Sequence, residues 1–517
     1  MIVQTVNTVL MSLRATLWLS GTAINLSWKV SKWTYKSIRG RQKPDNDDAY
    51  LSELPELRKL GHTRHTGGFY VGRFYRSDYY DGLWQAGLER VYTDAESSVV
   101  MVGKKKAGKS QSIIADIRAH AHLDPGRHPD LIVYDPVGEI QQATEPFLRR
   151  MGWDVRAIDV DQPERGQQCD PLQVIRLGMQ GYDFMLALLG QSIIPKPVKN
   201  PENENHFPKG ARAALIGMIA WEQANNPHGC TLQSCMERIV AKQDHIKDLI
   251  DLMQQSPSAL VRNNVKFLTI ISPKEYGSFA STMATYFGPY MYDGVMALNR
   301  TRADADGVCL EPVNFLDIFQ GSRKTAIFIR TGLYGDEPGA ILRLMMSNAI
   351  NTKRWLLNSR PHGTPYEKVR GLHRPLKIYT DETKTLGNCT ALVDVNDELR
   401  KARVNTFTCW LTRADIYNNL AGAKNLIGGA TLVLAGGSND AETNADFSKL
   451  MGEKREESQG RSYSRSGSTE SYHEQFRPLM NIHQIRNVPR SKRIVVMDQI
   501  QFLPHNTFDF KKGVARY

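Results

Sequence analysis

The feature that most constrains this chain is the octapeptide GKKKAGKS at residues 103–110. It fits the pattern GxxxxGK[ST], in which glycines allow backbone N–H groups to wrap around phosphates. An apolar segment at residues 99–102 precedes it, and an amphipathic helical pattern follows from Gln111. This is the strand–loop–helix context that phosphate binding requires. The sequence therefore predicts a nucleotide-binding α/β fold.

The octapeptide also predicts which groups contact the nucleotide. Lys109 can reach the β and γ phosphate oxygens, and the Ser110 hydroxyl can hold Mg²⁺. The expected cofactors are therefore ATP and Mg²⁺. The residues expected to bind the nucleotide are Gly103, Ala107, Gly108, Lys109, Ser110 and Gln111.

Two apolar segments end in acidic residues that could complete the site. One ends in Asp135, and the other ends in the pair Asp381 and Glu382. In a P-loop ATPase an aspartate orients the Mg²⁺ shell, and a neighbouring glutamate can accept a proton from the attacking water. We favour Asp381 as the metal ligand and Glu382 as the catalytic base. Asp135 is the alternative for the metal side.

The order of strand and helix patterns predicts the domain organisation. Alternating patterns from residue 98 to about 160 indicate βαβ units and a parallel sheet. Residues 172–295 carry helical patterns with few strand signals, so we expect an all-helical insertion. The predicted division is an N-terminal segment at 1–45, a first part of the nucleotide-binding domain at 46–171, the insertion at 172–295, and a second part with the C-terminal tail at 296–517.

Three further stretches are interpreted from composition. Residues 39–66 are polar and contain prolines, which is typical of a linker. Residues 67–93 are rich in aromatic residues split by Gly and Asp, which predicts a β-hairpin. Residues 453–476 are rich in Ser, Arg, Gly and Glu, so we expect a mobile surface loop there.

The N-terminal segment has a marginal helical pattern followed by positive charge. Residues 6–28 place apolar side chains along one stripe of a helix, but polar residues interrupt the pattern. Residues 29–43 then carry basic side chains: Lys29, Lys32, Lys36, Arg39, Arg41 and Lys43. An anchor helix on the cytoplasmic side of a membrane is the favoured interpretation. Packing against another part of the protein, or against a partner, is the alternative.

Charge and cysteine content narrow the class of protein further. With 66 Lys and Arg against 54 Asp and Glu, the net charge of +12 suits a polyanionic partner or an anionic membrane surface. The chain's six cysteines form no CxxC pair, which gives no support to a zinc ribbon and argues against a disulfide-dense secreted fold.

With these motifs in place, the chain resembles the type IV coupling proteins (the TraG/TraD-like group) over roughly residues 85–500. LIVYDPVGEI is similar to the family's strand and Asp-x-x-Gly-Glu turn, and IYTDETKTLGN resembles its Walker B strand. CDPL at residues 169–172 and the stretches 428–454 and 477–489 resemble further family segments in the expected order.

The resemblance implies a RecA-like P-loop domain interrupted by an all-α domain, with an N-terminal membrane anchor. It implies a homo-hexameric ATPase at the bacterial inner membrane that couples DNA to a type IV secretion channel. The implied partners are single- or double-stranded DNA bound without sequence specificity, a relaxase or relaxosome, and components of the channel. The all-α domain would select substrates or contact the relaxosome.

Two departures from the family pattern affect these expectations. Family members generally begin with a transmembrane hairpin, whereas this chain offers only the marginal helix at 6–28. The family also often places a glutamine sensor where this chain has Thr412 and Arg413. Thr412 could replace that sensor, or Arg413 could act as an arginine finger on a neighbouring subunit's nucleotide. An ordinary surface arginine is the alternative for Arg413.

The sequence thus predicts an ATP-driven motor that recruits DNA, with or without an attached relaxase, to a secretion channel in conjugation. One alternative is an FtsK-like or HerA-like DNA pump without a secretion partner. Another is a substrate receptor with little motor activity, in which nucleotide serves only assembly.

Overall fold

The computed structural model describes residues 49–80, 83–199, 205–240, 243–299, 309–332, 334, 338–464, 467–497 and 500–504. The chain divides into two compact units. The smaller unit comprises Met1–Tyr50 with Gly452–Leu479, and the larger comprises Leu51–Met451 with Met480–Tyr517. The predicted N-terminal segment at 1–45, including the anchor helix at 6–28, lies outside the described residues.

The described residues form the following elements. The strands are β1 (Tyr70–Tyr80), β2 (Leu83–Tyr92), β3 (Ser98–Val102), β4 (Asp130–Tyr134), β5 (Asp154–Asp159), β6 (Thr325–Arg330), β7 (Leu376–Thr380), β8 (Val404–Trp410), β9 (Ala430–Ala435), β10 (Glu453–Ser464), β11 (Gly467–Pro478), β12 (Arg493–Met497) and β13 (Ile500–Phe502). The α-helices are α1 (Leu54–Lys59), α2 (Lys109–Ala121), α3 (Glu139–Arg150), α4 (Tyr182–Ile193), α5 (His206–Asn225), α6 (Leu232–Ile239), α7 (Gln243–Gln254), α8 (Ala259–Ile270), α9 (Pro273–Phe287), α10 (Asp293–Ala297), α11 (Phe315–Gln320), α12 (Gly339–Asn358), α13 (Thr390–Asp397), α14 (Arg413–Asn419), α15 (Ala423–Gly428), α16 (Ala441–Leu450) and α17 (Ile482–Arg486).

The larger unit is built on a nine-stranded sheet. Its strand order is β13-β12-β9-β3-β8-β7-β4-β6-β5, and the strands from β9 to β5 are parallel. Strands β12 and β13 add an antiparallel edge. Strands β3, β4, β7 and β8 are buried along their whole length, which explains the nearly continuous apolar sequences of β3 and β4. The predicted parallel sheet is confirmed.

Alternate side chains of the sheet pack into one apolar core with the helices on that face. Because side chains of a strand point to opposite faces in turn, one set from each strand enters this core. Helices α2 and α3 close it, which holds the start of α2 at the carboxyl end of β3. Its members include Val99, Met101, Leu131, Val133, Ile113, Ile117, Ile140 and Leu148.

The register of the strands decides which loops meet. Strand β8 lies between β3 and β7, with Val102 opposite Trp410 and Thr380 opposite Thr408. The loops after β3, β7 and β8 therefore leave the same edge of the sheet, which is where α/β folds bind ligands.

Helices fill the chain between β5 and β6. The described residues from 160 to 324 form helices α4 to α11 and no strand. Helix α5 contacts α4, α6, α8 and α9, so these helices pack on one another. The predicted domain boundaries at residues 172 and 295 stay predictions. Among the described residues, helix α4 begins at Tyr182 and helix α10 ends at Ala297.

Two local expectations are wrong and one is confirmed. The stretch 39–66 is not a simple linker, because it contains helix α1, whose Leu57 is fully buried in the core. Residues 453–476 are not a loop but lie in the antiparallel hairpin β10–β11. Backbone pairing needs no apolar alternation, so a polar composition did not reveal these strands. The hairpin predicted within 67–93 is confirmed as β1–β2.

Within the described residues, every helix is too short or too polar to cross a membrane.

Candidate nucleotide site

The loop at residues 103–110 joins β3 to α2, and its geometry requires glycine at two positions. A Cβ at Gly103 would lie 2.8 Å from the carbonyl oxygen of Ala435 in β9. The Gly103 N–H also donates to the carbonyl of Trp410 at 3.1 Å. Gly108 has a φ of 85° and precedes the first residue of α2, a conformation that glycine adopts without strain. The close approach to Ala435 therefore explains glycine at position 103, and the positive φ explains glycine at position 108.

The start of α2 presents features that suit an anion. Its N-cap residue, Gly108, has no side chain to cap the helix, and the first turn holds no acidic residue. The positive end of the helix dipole favours negative charge there. The Lys109 ammonium donates to the carbonyls of Gly103 and Lys104 at 2.8 and 3.3 Å. The ammonium therefore lies against the loop, where it could bind a phosphate.

The Ser110 hydroxyl and the Asp381 carboxylate are in direct contact. Ser110 Oγ donates to both carboxylate oxygens, at 2.9 and 2.8 Å. Burial raises the pKa of Asp381 to about 6, with the Asp135 and Glu382 charges acting in the same direction and Ser110 and Lys109 opposing them. A hydroxyl and a carboxylate are the oxygen ligands that Mg²⁺ prefers. The pair therefore fits a magnesium ion, whose charge would favour the ionised carboxylate.

Asp135 lies beside this pair but uses its carboxylate differently. One oxygen accepts from the Gly138 N–H at 3.1 Å, and the other accepts from the Gln141 N–H at 2.8 Å. These bonds satisfy the first turn of α3. Burial raises the pKa of Asp135, and these backbone bonds oppose the rise. The geometry favours Asp381 over Asp135 as the candidate Mg²⁺ ligand.

Glu382 is exposed and begins a 3₁₀ turn at Thr383–Leu386. The Thr383 hydroxyl accepts from the Cys409 N–H at 3.0 Å and lies 2.6 Å from the Thr380 hydroxyl. This ties the turn to β8 and fixes the start of the segment that carries Glu382. Sequence reasoning missed Thr383, and only its position directly after the acidic pair could have indicated it.

Thr412 and Arg413 are both held by contacts within the chain. The Thr412 hydroxyl forms a capping box with Asp415 at the start of α14. The Arg413 guanidinium is 11% exposed, pairs with Asp446 at 2.9 Å, and donates to the Tyr417 hydroxyl at 3.0 Å. The structure thus places Arg413 against α16, with its guanidinium bonded to Asp446.

Two buried side chains form hydrogen bonds that hold α2, the helix after the loop, in place. No local sequence motif indicates them. Arg493 of β12 donates to Ser112 Oγ at 2.5 Å and to the Val71 carbonyl at 3.2 Å. Burial lowers the pKa of Arg493 to about 10. Asp116 of α2 accepts from the Tyr379 hydroxyl at 2.6 Å. These bonds join α2 to β12 and to β7, the strand that Asp381 directly follows.

Comparisons with known proteins identify a family and a group of solved structures with a similar fold. The family model described as "Type IV secretory system Conjugative DNA transfer" matches residues 52–501. The comparison with curated proteins gave no match.

Similar solved structures include those of the bacterial conjugative coupling protein TrwB. Its unbound form matches with a TM-score of 0.61 and 15% identity, covering 90% of this chain and 93% of that chain. TrwB bound to the non-hydrolysable ATP analogue ADPNP gives 0.60 and 14%, covering 91% and 96%. TrwB bound to ADP and Mg²⁺ gives 0.60 and 16%, with the same coverage. At these identities the likeness concerns the fold, and it confirms the predicted RecA-like α/β domain with an all-α insertion.

Proposed function

Because this chain belongs to the type IV secretory system conjugative DNA transfer family, we propose that it is an ATP-hydrolysing coupling protein. In this proposal the chain recruits DNA, with or without an attached relaxase, to a type IV secretion channel and drives its transfer. Its cofactors are ATP and Mg²⁺. The Ser110–Asp381 contact beside the phosphate-binding loop is the observation that carries the nucleotide part of the proposal.

The loop residues divide the work of binding. The N–H groups of Gly108 and the first turn of α2 surround the phosphates, with Gly103, Ala107 and Gln111 shaping the cradle. Lys109 exchanges its two carbonyl partners for phosphate oxygens and stabilises their charge. Ser110 and Asp381 hold Mg²⁺ directly or through water. Mg²⁺ would supply neutralisation of the developing phosphate charge.

Glu382 is the proposed base. It follows the metal-side carboxylate directly, and its exposed side chain can reach a water at the open face of the loop. The anchored Thr383 limits the movement of its backbone. For Arg413, the bonds to Asp446 and Tyr417 favour a structural role, and an arginine finger would have to exchange Asp446 for a phosphate.

The wider assembly follows from the family. We propose a homo-hexamer at the cytoplasmic side of the bacterial inner membrane, with DNA held through its phosphates rather than its bases. The net charge of +12 supports a polyanionic partner. Relaxosome and channel components are the proposed protein partners.

The test is ATP turnover and oligomer size of the full chain, with and without single- and double-stranded DNA. We expect Mg²⁺-dependent hydrolysis that DNA stimulates. Asp381→Asn should abolish the Mg²⁺-dependent hydrolysis, whereas Asp135→Asn should keep it because the Asp135 carboxylate accepts from N–H groups at the start of α3. Hydrolysis without DNA stimulation would favour the receptor alternative, and no hydrolysis under any condition would refute the ATPase.

A further inference from the structure

One arginine forms hydrogen bonds both to the turn at Thr383–Leu386, which follows Asp381 and Glu382, and to the helical insertion. Arg343 of α12 donates from Nη1 to the carbonyl of Leu386, the last residue of the 3₁₀ turn that follows Glu382, at 3.1 Å. It also donates from Nε to the carbonyl of Ser192 at 2.7 Å and from Nη2 to that of Ile193 at 3.5 Å. One planar guanidinium therefore bonds the catalytic turn and the end of α4 together.

The end of α4 is a suitable place for such a bond. The last carbonyls of a helix have no partner within it, and the C-terminal end of the dipole attracts a cation. Arg212 of α5 approaches the same end and donates to the Ile194 carbonyl at 3.0 and 2.8 Å. Its stem lies against Gly190, where a Cβ would come within 2.8 Å of the Arg212 Cγ. The end of α4 is thus held between an arginine of the core and an arginine of the insertion.

A second bond runs in parallel with the first. The Asn388 amide, two residues beyond Leu386, donates to the Lys196 carbonyl at 2.7 Å. Its oxygen accepts from the Ala421 N–H at 2.9 Å. The turn after Glu382 is therefore joined to the segment after α4 both directly and through Arg343.

We propose that Arg343, with Asn388, transmits the nucleotide state of the Asp381–Glu382 turn to the helical insertion. Hydrogen bonds tolerate only a few tenths of an ångström before they weaken. A shift of Leu386 on nucleotide binding must therefore either move α4 through Arg343 or break a charge-assisted bond. From α4 the shift reaches α5 through Arg212, so Arg343 is a positioning residue and takes no part in the chemistry. The inference rests on the proposed nucleotide binding at this site.

The test is hydrogen–deuterium exchange of the full chain, with and without ADPNP and Mg²⁺. Three segments are followed: the loop at 103–110, the turn at 383–390, and the end of α4 with its following residues at 188–196. In the wild type we expect nucleotide to change exchange in all three.

Two variants break the connection by different means. Arg343→Lys keeps the charge and most of the stem but cannot span three carbonyls with one flat group. Asn388→Asp keeps the acceptor for Ala421 and removes the donor to Lys196. Because the two connections run in parallel, we expect each variant to reduce the response at 188–196 and the double variant to lose it, while the loop and the turn still respond.

Arg354 offers a matched control on the same helix. It lies roughly three turns farther along α12, and its described partners are side chains of α12, α13 and the residue after α13: Asn351, Asp394 and Glu398. Arg354→Lys should therefore keep the nucleotide response in all three segments. Because the readout is a difference made by nucleotide within each variant, a general loss of stability alone would not produce the expected pattern.

The outcomes separate the two proposals. A wild-type response in the loop and turn without one at 188–196, or a full response in Arg343→Lys, would overturn the coupling and leave the nucleotide site intact. No response in the loop or the turn would overturn the nucleotide site and this inference with it.

Discussion

Replacing Asp381 with Asn should stabilise the nucleotide-free protein at alkaline pH. The side chain is largely buried, and burial raises its pKa from 3.8 to about 6. Because a tenfold change in an equilibrium constant is worth about 1.4 kcal/mol, this rise means that the ionised carboxylate costs the folded state up to about 3 kcal/mol. The side chain retains some solvent contact, and we therefore expect a gain of roughly 1–3 kcal/mol for the Asn variant. Asn keeps a carbonyl oxygen that can accept from Ser110.

The stability difference between the Asn variant and the wild type should depend on pH. At pH 8 the carboxylate is ionised in both the folded and the unfolded chain, and the whole cost is present. As pH falls through about 6, the folded state takes up the proton first, so the cost declines and is gone near pH 4. The advantage of Asp381→Asn over the wild type should follow the same course.

The measurement is urea unfolding of both proteins without nucleotide at pH 8, 6 and 4.5, followed by intrinsic fluorescence. Glu382→Gln is the comparison variant: its carboxylate is exposed and acts on Asp381 only as one of the smaller charge effects, so its gain at pH 8 should be much smaller than that of Asp381→Asn. An Asn variant that is less stable than the wild type at pH 8, or whose advantage does not change with pH, would refute the burial argument.

Five further substitutions test three separate parts of the structure. Lys109→Ala should lower ATP turnover by ~10²-fold or more in a steady-state assay and leave the melting temperature nearly unchanged, since its ammonium donates to carbonyls of the loop itself. Arg413→Ala and Asp446→Ala should each cost about 1 kcal/mol in urea unfolding through their shared ion pair; loss of DNA-stimulated turnover in the first variant alone would instead identify an arginine finger. Gly190→Ala should destabilise by about 1–2 kcal/mol because its Cβ would lie 2.8 Å from a side chain of α5. Gly277→Ala, in a helix with open space around it, should stabilise by about 0.5–1 kcal/mol, and equal effects at both positions would contradict the packing argument.

Segments with strong local patterns were predictable from the sequence. The phosphate-binding loop combines fixed glycine positions with a strand before it and a helix after it, so its fold follows from short-range preferences. The buried strands β4 and β7 are apolar runs that end in acids, which located Asp135 and Asp381 at strand ends. The helical insertion was visible because helical spacing persists over more than a hundred residues.

Where local patterning is weak, the sequence misled. The hairpin β10–β11 has mostly polar side chains, and its strands are defined by backbone pairing that runs from Ser464↔Gly467 to Glu453↔Pro478. Helix α1 is a single short amphipathic turn, and the burial of Leu57 depends on the rest of the core.

The sequence by itself determined the kind of site: a loop for phosphates, a hydroxyl beside it, and two candidate carboxylates. Only the tertiary structure shows which carboxylate contacts Ser110, because strand register places Asp381 against Ser110 while Asp135 accepts from N–H groups at the α3 N-terminus; this is why we propose Asp381 as the Mg²⁺ ligand. The same holds for Arg343, which bonds to carbonyls 150 and 43 residues away along the chain. Such bonds are made to backbone carbonyls, which every residue carries, so no sequence pattern predicts them. They form only when the folded core brings the helices together.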